Sequence, residues 1–187
     1  MKKYFIAVLA FSFLGLIATA QTQTTPQTAD QIFSNAVQQA KQQHKKVLIM
    51  FHASWCIWCK RMDASINDPS CKKYFDDNFV IEHITVMEHA DKVSLDNPGG
   101  QEMLEKYGGG DEGIPFWLIL DENGNLIANS KLKSGSTSEE EGHNIGCPST
   151  ELEVNYFVGL LKKHTSLSAA DEKAVHDRFR RNEVKGG

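Results

Sequence analysis

The sequence lacks the features that mark several common classes of protein. It has no cluster of basic residues, and its formal net charge is −4, from 20 Lys and Arg against 24 Asp and Glu. A mildly acidic chain without a basic patch is a poor candidate for binding nucleic acid, so we expect no nucleic-acid partner. No internal repeat is visible along the 187 residues, which excludes a repeat architecture.

Two sequence patterns that would indicate haem attachment or metal binding are missing around the cysteines and histidines. Lys60, not histidine, follows Cys59, so the signature of covalent haem attachment is missing. The histidines show no paired ligand spacing. From the residues alone, a metal-binding module in which Cys56, Cys59 and a histidine such as His52 hold copper or zinc remains an alternative.

Residues 1–20 have the pattern of a secretory signal peptide. Lys2 and Lys3 supply the positive start, residues 4–17 the apolar body and Ala18-Thr19-Ala20 the small-residue cleavage site. A retained membrane anchor is the alternative, because the uncharged run approaches the ~20 residues that a span needs. No cysteine lies just after the apolar body, so a bacterial lipid anchor is not indicated. We expect an exported protein, periplasmic or secreted, with no stable membrane span after cleavage.

Hydrophobic periodicity predicts an alternation of helices and strands after a flexible lead-in at residues 21–29. The predicted elements are a helix from Asp30, its possible cap; a strand Val47–Phe51; a helix from Cys56 to about Ile66; a short helix from Asn67 through Phe75; a strand Phe79–Met87; a helix Gln101–Tyr107; strands Pro115–Leu120 and Leu126–Ala128; and helices from Ser149 and from Ser168 to about Arg180. This order predicts an α/β fold, a mixed sheet covered by helices on both faces.

The motif Trp55-Cys56-Ile57-Trp58-Cys59-Lys60 carries most of the functional information. Its two cysteines stand two residues apart, after a buried-type strand and at the start of a helix. The spacing lets the sulfurs join across one turn, and a helix N-terminus stabilises a thiolate. We therefore predict that Cys56 is a nucleophile and that Cys59, one turn on and more buried, resolves the mixed disulfide. A purely structural bridge is the alternative.

Three matching segments make the chain resemble the thioredoxin superfamily over roughly residues 30–164. They are the strand Val47–Phe51, the Trp55–Lys60 block and Ile114-Pro115 before the third strand. Within that superfamily, residues 53–63 followed by Asn67-Asp68-Pro69 look most like the exported branch that includes the C-terminal domain of the disulfide reductase DsbD.

The resemblance implies a thioredoxin-like three-layer sandwich and a domain layout. The domain would span residues 30–165 with an insertion near 130–143, and residues 166–187 would form a C-terminal helical extension. The implied function is an exported thiol–disulfide oxidoreductase that reduces protein disulfides, with no cofactor beyond a redox-active Cys56–Cys59 disulfide. Its partners would be protein or peptide disulfide substrates and an upstream thiol donor. A non-catalytic, partner-binding thioredoxin-like domain is a further alternative.

The resemblance also assigns roles around the cysteines. The proline that matches Pro115 is cis in the family and lies against the cysteine pair, and the backbone of its neighbour, here Ile114, pairs with the bound substrate. The alternative is that Pro115 merely begins a strand and has no role at the cysteine pair. Trp55 and Trp58 are expected to shield the pair and to offer substrate an apolar surface, with core packing as the alternative.

Met50 departs from thioredoxin, which often has a buried acid at this position. Another group must then accept the proton that leaves Cys59. Asp63, four residues later on the same helix face, and Glu82, inside an apolar strand, are the candidates. A solvated helix carboxylate and an exposed edge residue are the respective alternatives. His52 is a candidate for tuning the thiolate, or a structural histidine.

The other two cysteines receive separate expectations. Cys71 is expected to be a buried or idle thiol. Cys147 precedes the last family helix where thioredoxins have a turn beside the active site, so we expect it to border the redox face. A Cys71–Cys147 disulfide is the alternative.

Overall fold

The computed structural model describes residues 26–132 and 142–184. The predicted signal peptide, most of the lead-in and the centre of the insertion near 130–143 lie outside these residues. The elements in chain order are α1 (Ala29–Gln43), β1 (Lys46–His52), α2 (Ile57–Ile66), α3 (Lys72–Asn78), β2 (Phe79–Thr85), a 3-10 turn (Val93–Leu95), α4 (Gly100–Lys106), β3 (Phe116–Leu120), β4 (Leu126–Asn129), β5 (Lys131–Leu132), β6 (His143–Asn144), α5 (Glu151–His164) and α6 (Ala169–Arg180).

The central sheet is mixed and has the order β2-β1-β3-β4. β1 runs parallel to β2 and antiparallel to β3, and β3 pairs antiparallel with β4. The central strand β1 is buried on both faces, which explains its continuous apolar run. β5 and β6 form a separate two-stranded ribbon.

Helices cover both faces of the sheet. α1 and α4 pack with Val47, Ile49 and Phe51 on one side, here called the α1 face. α2, α3, α5 and α6 pack with Leu48 and Met50 on the other, here called the α2 face. The predicted fold class, a thioredoxin-like sandwich with a mixed sheet, is therefore confirmed.

The start of α1 corrects one prediction. Thr28, not Asp30, is the N-cap: its hydroxyl accepts from the backbone N–H of Gln31, whose side chain accepts from the Thr28 N–H. This reciprocal capping box needs a residue with a hydroxyl three positions before Gln31, and Asp30 is too close. Asp30 instead lies in the first turn, where its charge suits the helix dipole.

Two other element boundaries differ from the prediction: α3 begins later and β2 ends earlier. α3 begins at Lys72 because residues 68–70 form a turn in which the Asp68 carboxylate accepts from the Ser70 N–H and hydroxyl. β2 ends at Thr85, before Met87, because Met87 takes a left-handed backbone conformation with φ 58°.

The last helix shares the core of the α2 face. Ser168, near which the sequence predicts the last helix to begin, is the N-cap of α6, and its hydroxyl accepts from the Asp171 N–H. Phe179 is fully buried, with its ring centroid 5.0 Å from that of Phe157 and 6.3 Å from that of Phe75. Among the described residues, no helix is long and apolar enough to cross a membrane.

Candidate active site

The two cysteines of the motif lie where β1 delivers the chain to α2. Cys56 is the N-cap of α2 and Cys59 lies in its first turn. Their Sγ atoms are joined in a disulfide and their Cα atoms are 5.3 Å apart. Each residue is only 3% exposed, so the prediction that Cys59 is more buried than Cys56 is wrong for this oxidised pair. The pair packs with Ala53, and with Trp58 and Ile114 beside it.

The start of α2 surrounds the Cys56 sulfur with positive potential. The backbone N–H of Cys59 points at Cys56 Sγ across 3.1 Å, so the sulfur takes the place of a capping oxygen. An amide directed at the sulfur, together with the helix dipole, favours a thiolate on Cys56 once the disulfide is reduced. Cys59, one turn on, has no such position.

Ile114 and Pro115 face the cysteine pair from the loop before β3. The Ile114–Pro115 peptide bond is cis, and Pro115 is buried. The carbonyl oxygen of Ile114 lies 3.5 Å from Cys56 Sγ. A disulfide sulfur has no proton to donate, so this is a van der Waals contact here and becomes a hydrogen bond only with a protonated Cys56 thiol.

The two tryptophans of the motif have different surroundings. Trp55 is 45% exposed; its indole N–H donates to the Met87 carbonyl at 2.8 Å and its ring stacks on His89. Trp58 is half-buried, with the Arg61 guanidinium 4.4 Å from its ring centroid. Trp58 therefore packs beside the cysteine pair, and neither tryptophan is fully buried.

A groove of about 370 Å³ runs beside Trp58, between the Ile114 loop and the segment before α5. We call it the redox-face groove; Trp58, Gly113, Ile114, Asn144, Gly146 and Cys147 are among its lining residues. Gly146 has φ +54° and a Cβ there would lie 3.5 Å from the Pro115 carbonyl oxygen, so the segment approaches Pro115 closely. Cys147 thus lines the same groove as Trp58 and Ile114.

Cys71 and Cys147 are free and buried, so no bridge joins them. Burial raises the pKa of the Cys147 thiol to about 12 and also raises the pKa of Cys71. The Cys71 thiol donates to the Ser65 carbonyl at 3.0 Å, and Cys147 Sγ accepts from the Asn182 side-chain amide at 3.3 Å. Both thiols are protonated structural groups at neutral pH.

Asp63 lies one turn beyond Cys59 and is bound by a residue from the sheet. His83 Nε2 lies 2.7 Å from Asp63 Oδ1. His83 pairs with Met50 in the parallel register of β1 and β2, so both side chains project on the α2 face. The His52 ring lies 4.9 Å from that of His83, and burial, followed by the His83 charge, lowers the pKa of His52.

The structure does not bring Glu82 to the cysteines. Val80 and Ile84 belong to the core of the α1 face, and strand alternation places Glu82 between them on that same face. The cysteine helix α2 lies on the opposite face. The prediction that Glu82 accepts the Cys59 proton is therefore wrong. Neighbouring residues of a strand point to opposite faces of the sheet, so Glu82 points away from α2 and His83 points toward it.

Sequence reasoning missed two residues at the site. One is His83. The other is Glu88, whose carboxylate accepts from the Ser54 hydroxyl at 2.7 Å and from the Ser54 N–H, which holds the loop that precedes Trp55. Burial alone raises the pKa of Glu88, but the hydrogen bonds from Ser54 outweigh it and lower the pKa. Neither residue belongs to a sequence motif.

Among residues 26–132 and 142–184, no group of three or more His, Cys, Asp or Glu side chains converges as a metal site. In this structure Cys56 and Cys59, the sulfurs that the metal-binding alternative requires, are bonded to each other.

A family profile described as thioredoxin-like matches residues 28–122, just over half of the chain. The chain belongs to the thioredoxin-like family. The match spans the cysteine pair, Pro115 and three of the four central strands. The fold is that of thioredoxin-like disulfide oxidoreductases, and it holds the Cys56–Cys59 disulfide.

Several solved structures are similar to this chain. A disulphide isomerase from Xylella fastidiosa Temecula1 is 16% identical, with 90% of this chain and 98% of that one covered at a TM-score of 0.48. The oxidised C-terminal domain of Neisseria meningitidis DsbD is 18% identical, covering 75% and 99% at 0.45. The DsbH oxidoreductase is 20% identical, covering 87% and 96% at 0.41. A search of curated proteins gave no match.

Proposed function

We propose that this thioredoxin-like protein is an exported thiol–disulfide oxidoreductase that reduces protein disulfides through Cys56 and Cys59. One observation carries the proposal: Cys56 caps α2, with the Cys59 N–H 3.1 Å from its sulfur. A purely structural bridge needs no such amide, whereas a nucleophilic thiolate is stabilised by it.

The reaction proceeds by two exchanges. The Cys56 thiolate attacks one sulfur of a substrate disulfide, and the other substrate sulfur leaves as a thiolate with the electron pair. Cys59 then gives its proton to the Asp63 carboxylate and attacks Cys56 Sγ. The Cys56–Cys59 bond forms, the bond from Cys56 to substrate breaks, and the second substrate sulfur leaves. Two electrons have moved to the substrate, and an upstream thiol donor restores the dithiol.

The substrate is an extended protein segment that lies in the redox-face groove. The Ile114 backbone, next to cis Pro115, is within reach of such a segment and is the pairing edge. Trp55 is 45% exposed and Ile57 is 59% exposed, so they offer apolar surface beside Cys56. Aromatic and aliphatic side chains of this kind bind unfolded polypeptide without demanding one sequence.

Export rests on the signal pattern of residues 1–20. Expression of the full chain in a bacterium tests it directly. We expect to recover the protein in the exported fraction, with the mass of a chain that begins at Gln21. Recovery of the uncleaved chain in the cytoplasm would contradict export without affecting the proposed chemistry.

A redox titration in glutathione buffers, combined with an insulin-reduction assay, tests the reducing role. A potential near thioredoxin's, about −270 mV, marks a reductase, and one near −120 mV marks an oxidant. We expect catalysed insulin reduction and a potential at the reducing end. Cys71→Ala is the matched control, because it removes a buried thiol that the reaction does not use. Absence of turnover in either direction would refute the proposal.

A further inference from the structure

Resolution by Cys59 requires a group that accepts its proton, and the residues near α2 determine which group is available. Met50, only 2% exposed, lies on the α2 face of β1, and its thioether cannot take a proton. The group opposite Met50 on β2 is His83, which reaches toward α2 and contacts Asp63. The acid thus comes from the helix, and the sheet supplies a histidine that binds it.

The geometry leaves one oxygen of Asp63 available. Oδ1 lies 2.7 Å from His83 Nε2, a short hydrogen bond of the kind that a charged acceptor makes. Among the described residues, Oδ2 has no hydrogen-bond partner. Cys59 and Asp63 are four residues apart on α2, and side chains at this spacing are neighbours on one helix face.

The Asp63–His83 pair also has an outlet to solvent. Both residues line a cavity of about 480 Å³ along the outer edge of β2, and their side chains are 36% and 35% exposed. The other ionisable residues that line this cavity are Lys45, Asp76 and Glu82. His52, with its ring 4.9 Å from that of His83, is the ionisable neighbour from β1.

We propose that His83 is a positioning residue for the resolving step: its Nε2–H donates to Oδ1 of Asp63 and orients the carboxylate so that Oδ2 takes the Cys59 proton. The proton then leaves to water in the cavity beside β2, and the Cys59 thiolate attacks Cys56. This role rests on the proposed function. His83 acts through Asp63 and touches no reacting sulfur.

The test separates the attack of Cys56 from the resolution by Cys59. Fully reduced protein is mixed with a disulfide-bonded peptide, quenched in acid at short times and analysed by mass spectrometry, so that the mixed disulfide is seen to form and decay. We expect Asp63→Asn to slow the decay about 100-fold at pH 6.5, the low end of what general acid–base catalysis contributes. His83→Leu should slow the decay about tenfold and leave the rate of formation within twofold.

Two further readouts distinguish positioning from a structural role. His83→Gln, whose amide N–H can replace the donor, should restore the decay to within about threefold of wild type. The defect of His83→Leu should shrink at pH 9.5, because free thiols ionise unaided above about pH 8.5. Asp76→Asn is the matched control, since it removes a carboxylate from the same cavity that pairs with Lys72 and not with His83.

Failure of the role proposed for His83 can be distinguished from failure of the proposed function. Wild-type protein that forms no mixed disulfide would refute the oxidoreductase itself. Wild-type turnover with unchanged decay in His83→Leu would overturn the role of His83 alone, as would equal slowing of both steps. If His83→Leu does not fold, His83→Asn, polar but too short to reach Oδ1, takes its place with the same expectations.

Discussion

The backbone N–H of Cys59 lies 3.1 Å from Sγ of Cys56, so a sulfur caps the helix that carries the motif. Cys71 occupies the equivalent position before α3, but its side chain makes no capping bond and its thiol donates instead to the Ser65 carbonyl. A sulfur that accepts from an amide is stabilised as a thiolate, and one that donates to a carbonyl is stabilised as a thiol. The two cysteines therefore differ in reactivity although both precede a helix.

Alkylation of the reduced protein measures this difference. At pH 7 we expect iodoacetamide to modify Cys56 within minutes and to leave Cys71 and Cys147 unmodified, because burial raises the pKa of both of these thiols. Peptide mapping after the quench identifies the modified residue. Prompt labelling of Cys147 in the folded protein would contradict the assignment, and denatured protein, which should react at every cysteine, is the control.

The raised pKa values of one buried thiol and one buried phenol predict that the protein becomes less stable in alkali. Burial raises the pKa of Cys147 and of Tyr74 to about 12 each, above the ordinary values of about 8.5 and 10. The unfolded chain thus loses these protons first. The free energy of unfolding should fall as the pH rises from about 8.5 toward 12.

Urea unfolding at pH 8, 9.5 and 11 checks this slope. Cys147→Ala removes one of the two groups, so its free energy of unfolding should fall less steeply between pH 8 and 11 than that of wild type. Its stability at pH 8 is lower because a buried side chain is lost. Parallel curves for the two proteins would show that Cys147 is not the titrating group.

Local sequence patterns predicted the helices, the four strands of the central sheet and the position of the cysteine pair at the start of a helix, because each depends on residues close together in the chain. His83 could not be found this way. The strand Phe79–Met87 is apolar on both faces, with Val80 and Ile84 on one and Phe79 and Ile81 on the other, so its phase cannot be read. Only the register with β1 shows that His83, and not Glu82, faces α2.

Sequence reasoning did not identify Asn182 either, although this residue joins three segments of the chain. Its side-chain amide donates to Ser65 Oγ on α2 at 2.9 Å and lies 3.3 Å from Cys147 Sγ and 3.5 Å from the Pro148 carbonyl oxygen. Asn182→Ala leaves buried acceptors unpaired, so we expect a loss of about 1–3 kcal/mol in unfolding free energy. Exposed Asn155→Ala should change it by less than about 0.5 kcal/mol. Equal effects in urea titrations would contradict the linking role.

The burial of Phe179 makes α6 part of the core, although it follows the matched family segment. Phe179→Ala removes a fully buried ring between Phe75 and Phe157 and should cost about 3–5 kcal/mol. Leu152→Ala, at a position 65% exposed on α5, is the matched control and should cost less than about 0.5 kcal/mol. Thermal and urea unfolding measure both, and a cost for Phe179→Ala as small as the control's would show that α6 is a detachable extension.

The most direct test of the redox assignment is to trap the covalent intermediate. Cys59→Ser protein, reduced and mixed with a disulfide-bonded peptide, should stop at a stable mixed disulfide, and peptide mapping should place the adduct on Cys56 alone. Cys56→Ser should form no adduct under the same conditions. An adduct on Cys71 or Cys147, or none on Cys56, would contradict the account.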